Sequence, residues 1–232
     1  MLKLNYSITF KLKNMIVITG ASEGLGLQVA KLYKEEGKTV VNISRKESKY
    51  ADVNICISLQ EEKNIKEIVK KINEINEPLE ALINCAGVMS LQKLEEVTES
   101  EIERVMSTNL NPAILLVSNL MGKIKKDETD IVNVASTVGH KGYVDQAVYG
   151  ASKWAIRGFS KNLQEEFKGK PNRIISFCPG GFKSKIFEKA TGFDNTGDGS
   201  EWMTAEGVAK ALKGTLGLPN NMEVSEIVIN RK

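Results

Sequence analysis

The chain has 232 residues, of which 41% are hydrophobic and 26% charged, proportions that exclude a disordered or fibrous protein. Its 32 basic and 29 acidic residues are mixed along the sequence, leaving a formal charge of +3 and no basic block of the kind that binds nucleic acid. No apolar run approaches the roughly 18 residues of a membrane span, and Lys3, Lys11 and Lys13 interrupt the N-terminus where a signal peptide needs continuous apolar residues.

Residues 1–14 precede the first clear strand and read as an N-terminal extension, with a single domain expected over 15–232. Met15 to Thr19 is a short apolar run that ends at glycines. Leu25, Val29, Leu32 and Tyr33 then recur at helical spacing, giving strand, turn and helix. Thr39–Ile43 and Val53–Ile57 are further β-branched runs. Ile65, Ile68, Val69, Ile72 and Ile75 mark an amphipathic helix leading to a strand at Ala81–Ile83. A long helix is predicted from about Glu99 to Lys126, a strand at Ile131–Ala135 and a helix from Tyr149 to Phe167. A strand at Ile174–Cys178, a helix near Ala205–Leu216 and a last strand at Ile227–Ile229 follow. Strands that alternate with helices imply an α/β protein, a single Rossmann-like doubly wound parallel sheet with helices on both faces. Phe182–Met203 departs from this regularity, and its glycines and polar residues predict a mobile excursion rather than core.

Gly20, Gly24 and Gly26 fall between the first strand and its helix. Missing side chains there let backbone approach a pyrophosphate, and the helix N-terminus offers it unpaired N–H groups. Gly20, Ser22, Gly24, Leu25 and Gly26 are therefore assigned to a dinucleotide. A lone glycine cluster equally fits an empty strand–helix turn; the βαβ context favours the ligand. The end of the second strand faces the adenine ribose, where an acid would meet a 2′-hydroxyl and an arginine a 2′-phosphate. The sequence there is Ser44-Arg45-Lys46, with no acid. A bidentate guanidinium suits a phosphate, so Arg45 points to NADP(H) over NAD(H), against the alternative of a solvated basic turn. Asn84-Cys85-Ala86-Gly87 follows the fourth strand, and a turn of small residues can lie against the cofactor at that sheet edge; Asn84, Ala86 and Gly87 are assigned to it.

Tyr149 and Lys153 stand one helical turn apart, and Ser136 precedes them in the loop after the fifth strand. A phenol of reference pKa about 10 is a poor base near neutrality until a cation lowers that value, and Lys153 is placed to do so. Ser136 can donate a hydrogen bond to a substrate carbonyl as charge develops on its oxygen. Singly, each residue is more easily read as a helix pair or a loop serine. Together they form an acid/base site.

With these residues in view, the chain resembles the short-chain dehydrogenase/reductase family over essentially Met15–Arg231: Thr19–Gly26, Asn84–Gly87, Asn109, Ser136, Tyr149 and Lys153 all fall in its pattern. The resemblance implies that Tyr149 exchanges the proton and Ser136 orients the carbonyl. It also implies that Lys153 lowers the tyrosine pKa and binds the nicotinamide ribose, while Asn109 holds a water in the proton relay. Pro112 is expected to open the helix near Asn109. Pro179, Gly180 and Ser184 resemble the segment that contacts the nicotinamide amide. Departures are Cys85 for the family's second asparagine, Ser58 for an adenine-facing aspartate and Ala135 for a frequent serine.

The implied function is interconversion of a carbonyl and an alcohol, with a catalytically silent dinucleotide-binding scaffold as the rival. Cys56, Cys85 and Cys178 are scattered in or beside apolar runs, as small hydrophobes of a reduced compartment, so a cytoplasmic location is expected. His140, with no second histidine or nearby cysteine in sequence, reads as an exposed loop residue, and no metal is assigned. Phe182, Phe187, Phe193, Trp202 and Met203, among Lys183, Lys185 and Lys189, would form a lid for a substrate with an apolar part and an anionic group; a surface loop pinned by aromatics is the plainer reading. The ending Val224–Lys232 lacks the Asp-Gly-Gly of acyl-carrier-protein ketoreductases, which turns the expectation toward small carbonyls, hydroxy acids or sugars. A homodimer or homotetramer through the two long helices is expected from the resemblance, with a small molecule as the other partner and neither nucleic acid nor membrane.

Overall fold

The computed structural model describes residues 14–194, 202–219 and 221–232. The expected extension, apart from Asn14, and residues 195–201 of the Phe182–Met203 excursion lie outside that range. Seven parallel strands form one sheet: β1 (Met15–Thr19), β2 (Thr39–Ser44), β3 (Val53–Cys56), β4 (Leu79–Asn84), β5 (Asp130–Val134), β6 (Ile174–Pro179) and β7 (Glu226–Ile229). Their order is β3-β2-β1-β4-β5-β6-β7. The direction of winding reverses between β1 and β4, and such a switch point leaves a crevice at the carboxyl ends of the two strands.

Successive residues of a strand face opposite sides, so one apolar run serves two cores. On β1, Met15 and Val17 enter a layer with Ile65, Ile68 and Ile72 of α2 (Glu62–Glu74), Leu116, Leu120 and Ile124 of α4 (Asn111–Asp127) and Leu163 of α5 (Ala147–Glu166). Ile16 and Ile18 enter the opposite layer with Leu25, Val29 and Tyr33 of α1 (Gly24–Glu35) and Val208 and Leu212 of α7 (Ala205–Leu216). Each fully buried aliphatic side chain contributes about 1.5–3 kcal/mol relative to exposure.

Three expectations are corrected. The long helix is two, α3 (Glu99–Asn109) and α4, joined at Leu110, whose φ of −121° and ψ of −60° leave the helical path. Pro112 falls in the first turn of α4, where its missing N–H disturbs least, so the break precedes it. The excursion after β6 contains a further helix, α6 (Lys185–Thr191), and Phe182 bridges to Met203 in parallel, both packing on the core beside α1 and α7. Cys56 is exposed on the edge strand β3, whereas Cys178 is buried and Cys85 half-buried.

Candidate active site

The turn between β1 and α1 is fixed by close backbone approach. Thr19 Oγ1 accepts hydrogen bonds from the backbone N–H groups of Cys85 and Ala86, both at 3.0 Å, tying the ends of β1 and β4 at the switch point. Gly20 has φ +75°, and a Cβ there would stand 2.9 Å from Ala86 Cα. A Cβ on Gly26 would lie 2.8 Å from the Gly20 carbonyl carbon and nearer still to its oxygen. Glu23, at the N-cap, makes no side-chain capping bond, so the N–H groups opening α1 are left to the cleft.

This turn forms one wall of a cleft of about 1040 Å³. Gly20, Ser22, Gly24, Leu25, Gly26, Arg45, Ala86, Gly87, Pro179, Gly180 and Ser184 all line it, together with Ser136, Tyr149 and Lys153. Among the described residues Arg45, exposed beyond β2, pairs with no carboxylate. Two assigned asparagines are placed elsewhere. Asn84 donates to Asn133 Oδ1 at 2.8 Å, and Asn133 donates to Ser160 Oγ at 3.0 Å, a buried polar ladder from β4 through β5 to α5. Asn109 accepts from Val88 N at 2.7 Å, and its Nδ2 donates to Val88 O at 2.9 Å and Ser152 Oγ at 3.0 Å. Both asparagines border a separate cavity of about 10 Å³ beside Pro112. A Cβ on Gly87 would meet Asn109 Oδ1 at 3.5 Å and Lys153 Nζ at 3.7 Å, so cleft and asparagine meet across a glycine.

Ser136 caps the 3-10 turn Thr137–Gly139 by accepting from Val138 N at 3.2 Å, and its hydroxyl donates to Pro179 O at 3.4 Å. Tyr149 and Lys153 are 9% and 5% exposed, the lysine almost wholly enclosed for a charged residue. Lys153 Nζ donates to Val134 O at 3.0 Å and stands 5.7 Å from the Tyr149 ring centroid. The expected lowering of the phenol pKa by Lys153 is not what this arrangement gives. Burial pushes Tyr149 up to about 12, with the Ser136 hydroxyl opposing, and burial brings Lys153 down to about 8. Desolvation, not the Lys153 charge, sets the direction of the phenol shift.

Behind this pair, Arg157 holds Glu226 of β7 through Nε–Oε2 at 2.8 Å and Nη2–Oε1 at 2.9 Å, and its Nη1 donates to Gly139 O. The turn carrying Ser136 is thereby fastened to the last strand. His140 is half-buried rather than an exposed loop residue, and it does have a cysteine nearby: ligand atoms of His140, Cys178 and Glu226 lie within 4.8 Å of one another. Arg157 already occupies both Glu226 oxygens, so a metal ion would have to displace a guanidinium. Neither this cluster nor the Arg157 clamp carried a sequence signal, because their members come from β6, α5, β7 and a loop.

At the far end, α6 lines the cleft. Phe187 lies 5.2 Å from the Trp202 ring and 6.4 Å from Phe193, and Lys189 contacts Glu23 of the glycine turn. That ion pair occupies one of the cations assigned to an anionic substrate. Gln92 and Gln146, which the sequence did not single out, line the wall beside Tyr149.

Residues 14–194 match the family model described as short chain dehydrogenase. An uncharacterised oxidoreductase of Thermotoga maritima is 30% identical over 182 residues, covering 74% of this chain and 72% of that protein. A 3-oxoacyl-acyl-carrier-protein reductase of Vibrio harveyi is 29% identical over 174 residues, covering 71% of each. Among solved structures, a closed form of serine dehydrogenase complexed with NADP+ superposes with a TM-score of 0.85 at 20% identity, over 93% of this chain and 94% of that one, a likeness of fold.

Proposed function

The chain belongs to the short-chain dehydrogenase family of oxidoreductases, and on that premise we propose that it interconverts a carbonyl and an alcohol, with NADP(H) as cofactor and Tyr149 as acid/base. The observation that carries this reading is the convergence of Ser136, Tyr149 and Lys153, the lysine Nζ 5.7 Å from the tyrosine ring, on the wall of a cleft that begins at the glycine turn. Gly20 and Gly26 have no room for a Cβ, which packs the glycine turn tightly against Ala86 and the start of α1, a helix N-terminus of the kind that meets a pyrophosphate.

When bound, the nicotinamide supplies or accepts the hydride. This chain's part is the proton. With its pKa at about 12, Tyr149 is protonated at neutral pH and suited to give its proton to an oxygen on which charge develops as a carbonyl is reduced. Ser136 donates to the same oxygen. Lys153, at about 8, is largely charged at neutrality, and its cation stabilises the phenolate left behind. Asn109 supports the set at one remove, bonding Ser152, whose hydroxyl donates to Tyr149 O at 2.7 Å. Arg45 supports NADP(H), since its guanidinium faces the cleft beyond β2 with no acid alongside.

The test is NADPH and NADH oxidation against ketones, dicarbonyls, keto acids and sugars, with Tyr149→Phe in parallel. Turnover with NADPH that the variant loses, while it still binds the cofactor, is the expected result. Turnover that survives in Tyr149→Phe would remove the tyrosine from the chemistry.

A further inference from the structure

Gln92 and Gln146 stand together on the wall of the cleft next to the reacting group. Gln146 is the N-cap residue of α5, one turn before Tyr149 and on the same helix face, and its side chain makes no capping bond. The preceding residue, Asp145, has φ +61°, a left-handed conformation uncommon outside glycine, and it sets the direction in which the chain enters α5. Gln92 N donates to Asp145 O at 2.8 Å, which brings the second glutamine alongside the first. Both line the cleft, and both carboxamide oxygens, Gln92 Oε1 and Gln146 Oε1, are closed off from solvent without a hydrogen-bond partner.

A buried acceptor without a donor is unfavourable, and native interiors rarely keep one. Here two occur in the lining of one cleft, on segments joined by the Gln92–Asp145 backbone bond. The terminal torsion of a glutamine is broad and roughly two-fold, so either carboxamide can turn its oxygen toward a donor that enters the cleft. A carboxamide both accepts and donates, and a hydroxyl does the same. An ammonium group would instead require a free carboxylate, but among the described residues the two acids lining the cleft are engaged, Glu23 with Lys189 and Glu101 with Arg104.

We propose that Gln92 and Gln146 receive a hydroxyl group of the substrate close to the carbonyl, making this enzyme selective for hydroxy ketones over the corresponding plain ketones. The inference rests on the carbonyl-reductase reading above and adds to it a substrate class and two specificity residues.

The experiment compares kcat/KM for NADPH-dependent reduction within matched pairs: 1-hydroxy-2-butanone against 3-pentanone, and 4-hydroxy-2-butanone against 2-pentanone. The members of each pair differ by a hydroxyl in place of a methyl. Wild-type protein is expected to prefer one or both hydroxylated members by roughly 10–100-fold, the range for leaving a buried polar group unmatched. Gln92→Met and Gln146→Met, which keep length and remove the acceptor, are expected to lower that ratio at least several-fold. Gln146→Glu, which keeps an acceptor, should retain more of the preference than Gln146→Met.

Equal kcat/KM within both pairs in the wild type overturns the inference without any variant having to fold, and leaves the reductase reading standing. A preference that persists in both Met variants also overturns it, by assigning the selectivity elsewhere. If no carbonyl compound is reduced by protein that binds NADPH, the reductase reading fails and this inference falls with it.

Discussion

Replacing Gly26 with alanine tests whether the cofactor turn is held by contact or by helix propensity. Propensity alone favours alanine inside a helix by at most about 1 kcal/mol. The contacts oppose it. The added Cβ would stand 2.8 Å from the Gly20 carbonyl carbon and 3.1 Å from Ala21 Cα, all backbone of the same tight turn with no flexible side chain to give way. Overpacking of this kind costs about 1–3 kcal/mol, and a rigid neighbour argues for the upper end, leaving a net loss of about 1–2 kcal/mol. For a chain of this size that lowers Tm by roughly 2–8 °C. Because relief requires Gly20 to move, and Gly20 abuts Ala86 across the switch point, dinucleotide affinity should fall at least about tenfold. Gly214→Ala is the control, since a Cβ in that position of α7 meets nothing within 4 Å, and it should hold or raise Tm. Thermal unfolding and NADPH titration by fluorescence decide the matter. A Gly26→Ala protein as stable as Gly214→Ala, with unchanged NADPH affinity, would refute the close-approach argument.

Lys153 gives a paired pH dependence: its folded pKa is lowered to about 8 from an ordinary value of about 10.4, so the unfolded chain binds more protons between those limits and stability should rise with pH across that window. Over the same interval kcat/KM for carbonyl reduction should fall as the cation is lost, with Tyr149 still protonated; an activity limb nearer pH 10 and a flat stability profile would contradict the depressed lysine. Arg157 holds the Glu226 carboxyl below its ordinary range, chiefly by hydrogen bonding, so this contribution is present above the ordinary carboxylate pKa and lost as pH falls through the lowered one. Arg157→Met should cost about 1.5–3 kcal/mol at neutral pH and flatten the acid limb of a denaturation series, and an unaltered limb would place the acid sensitivity elsewhere. Arg45→Ala should raise the Kd for NADPH about tenfold or more and leave that for NADH nearly unchanged; equal weakening of both would argue against a 2′-phosphate contact. Light scattering should return two or four times the 25.6 kDa chain mass, through α3, α4 and α5, where Ile102, Ile114 and Trp154 are 45%, 36% and 51% exposed; a monomer would count against oligomerisation.

The strand–helix alternation was legible because both faces of the sheet are covered, which makes each strand a short unbroken apolar run such as Met15–Thr19. Glycines beside a strand end, and a tyrosine and lysine four apart, are local patterns too, and local spacing survives folding. What sequence could not weigh was burial. The i,i+4 relation of Tyr149 and Lys153 suggested a lowered phenol pKa, whereas enclosure of both groups reverses that shift. α6 escaped notice because seven residues give too short a period to read, and its neighbours are glycine-rich. The proximity of His140 to Cys178 and the backbone bond from Gln92 to Asp145 depend on which loop returns to which sheet edge, information that no window of adjacent residues holds.

The polar contacts behind the site converge on one helix. Along α5, Ser152 meets Asn109 of α3, Lys153 meets Val134 of β5, Arg157 meets Gly139 and Glu226, and Ser160 meets Asn133. Ser152, Lys153, Ile156 and Ser160 are buried, so this face is enclosed and its polar groups must be satisfied within the protein. The helix that carries Tyr149 and Lys153 is thus registered against two strands of the sheet, a neighbouring helix and the turn bearing Ser136. An axial shift of α5 would strain all four contacts together, whereas a shift of α6 is resisted chiefly by the exposed Lys189–Glu23 pair and the aromatic contacts around Phe187. Proton-transfer geometry and substrate access therefore rest on different elements, so changes in α6 can alter what enters the cleft while leaving Ser136, Tyr149 and Lys153 in place.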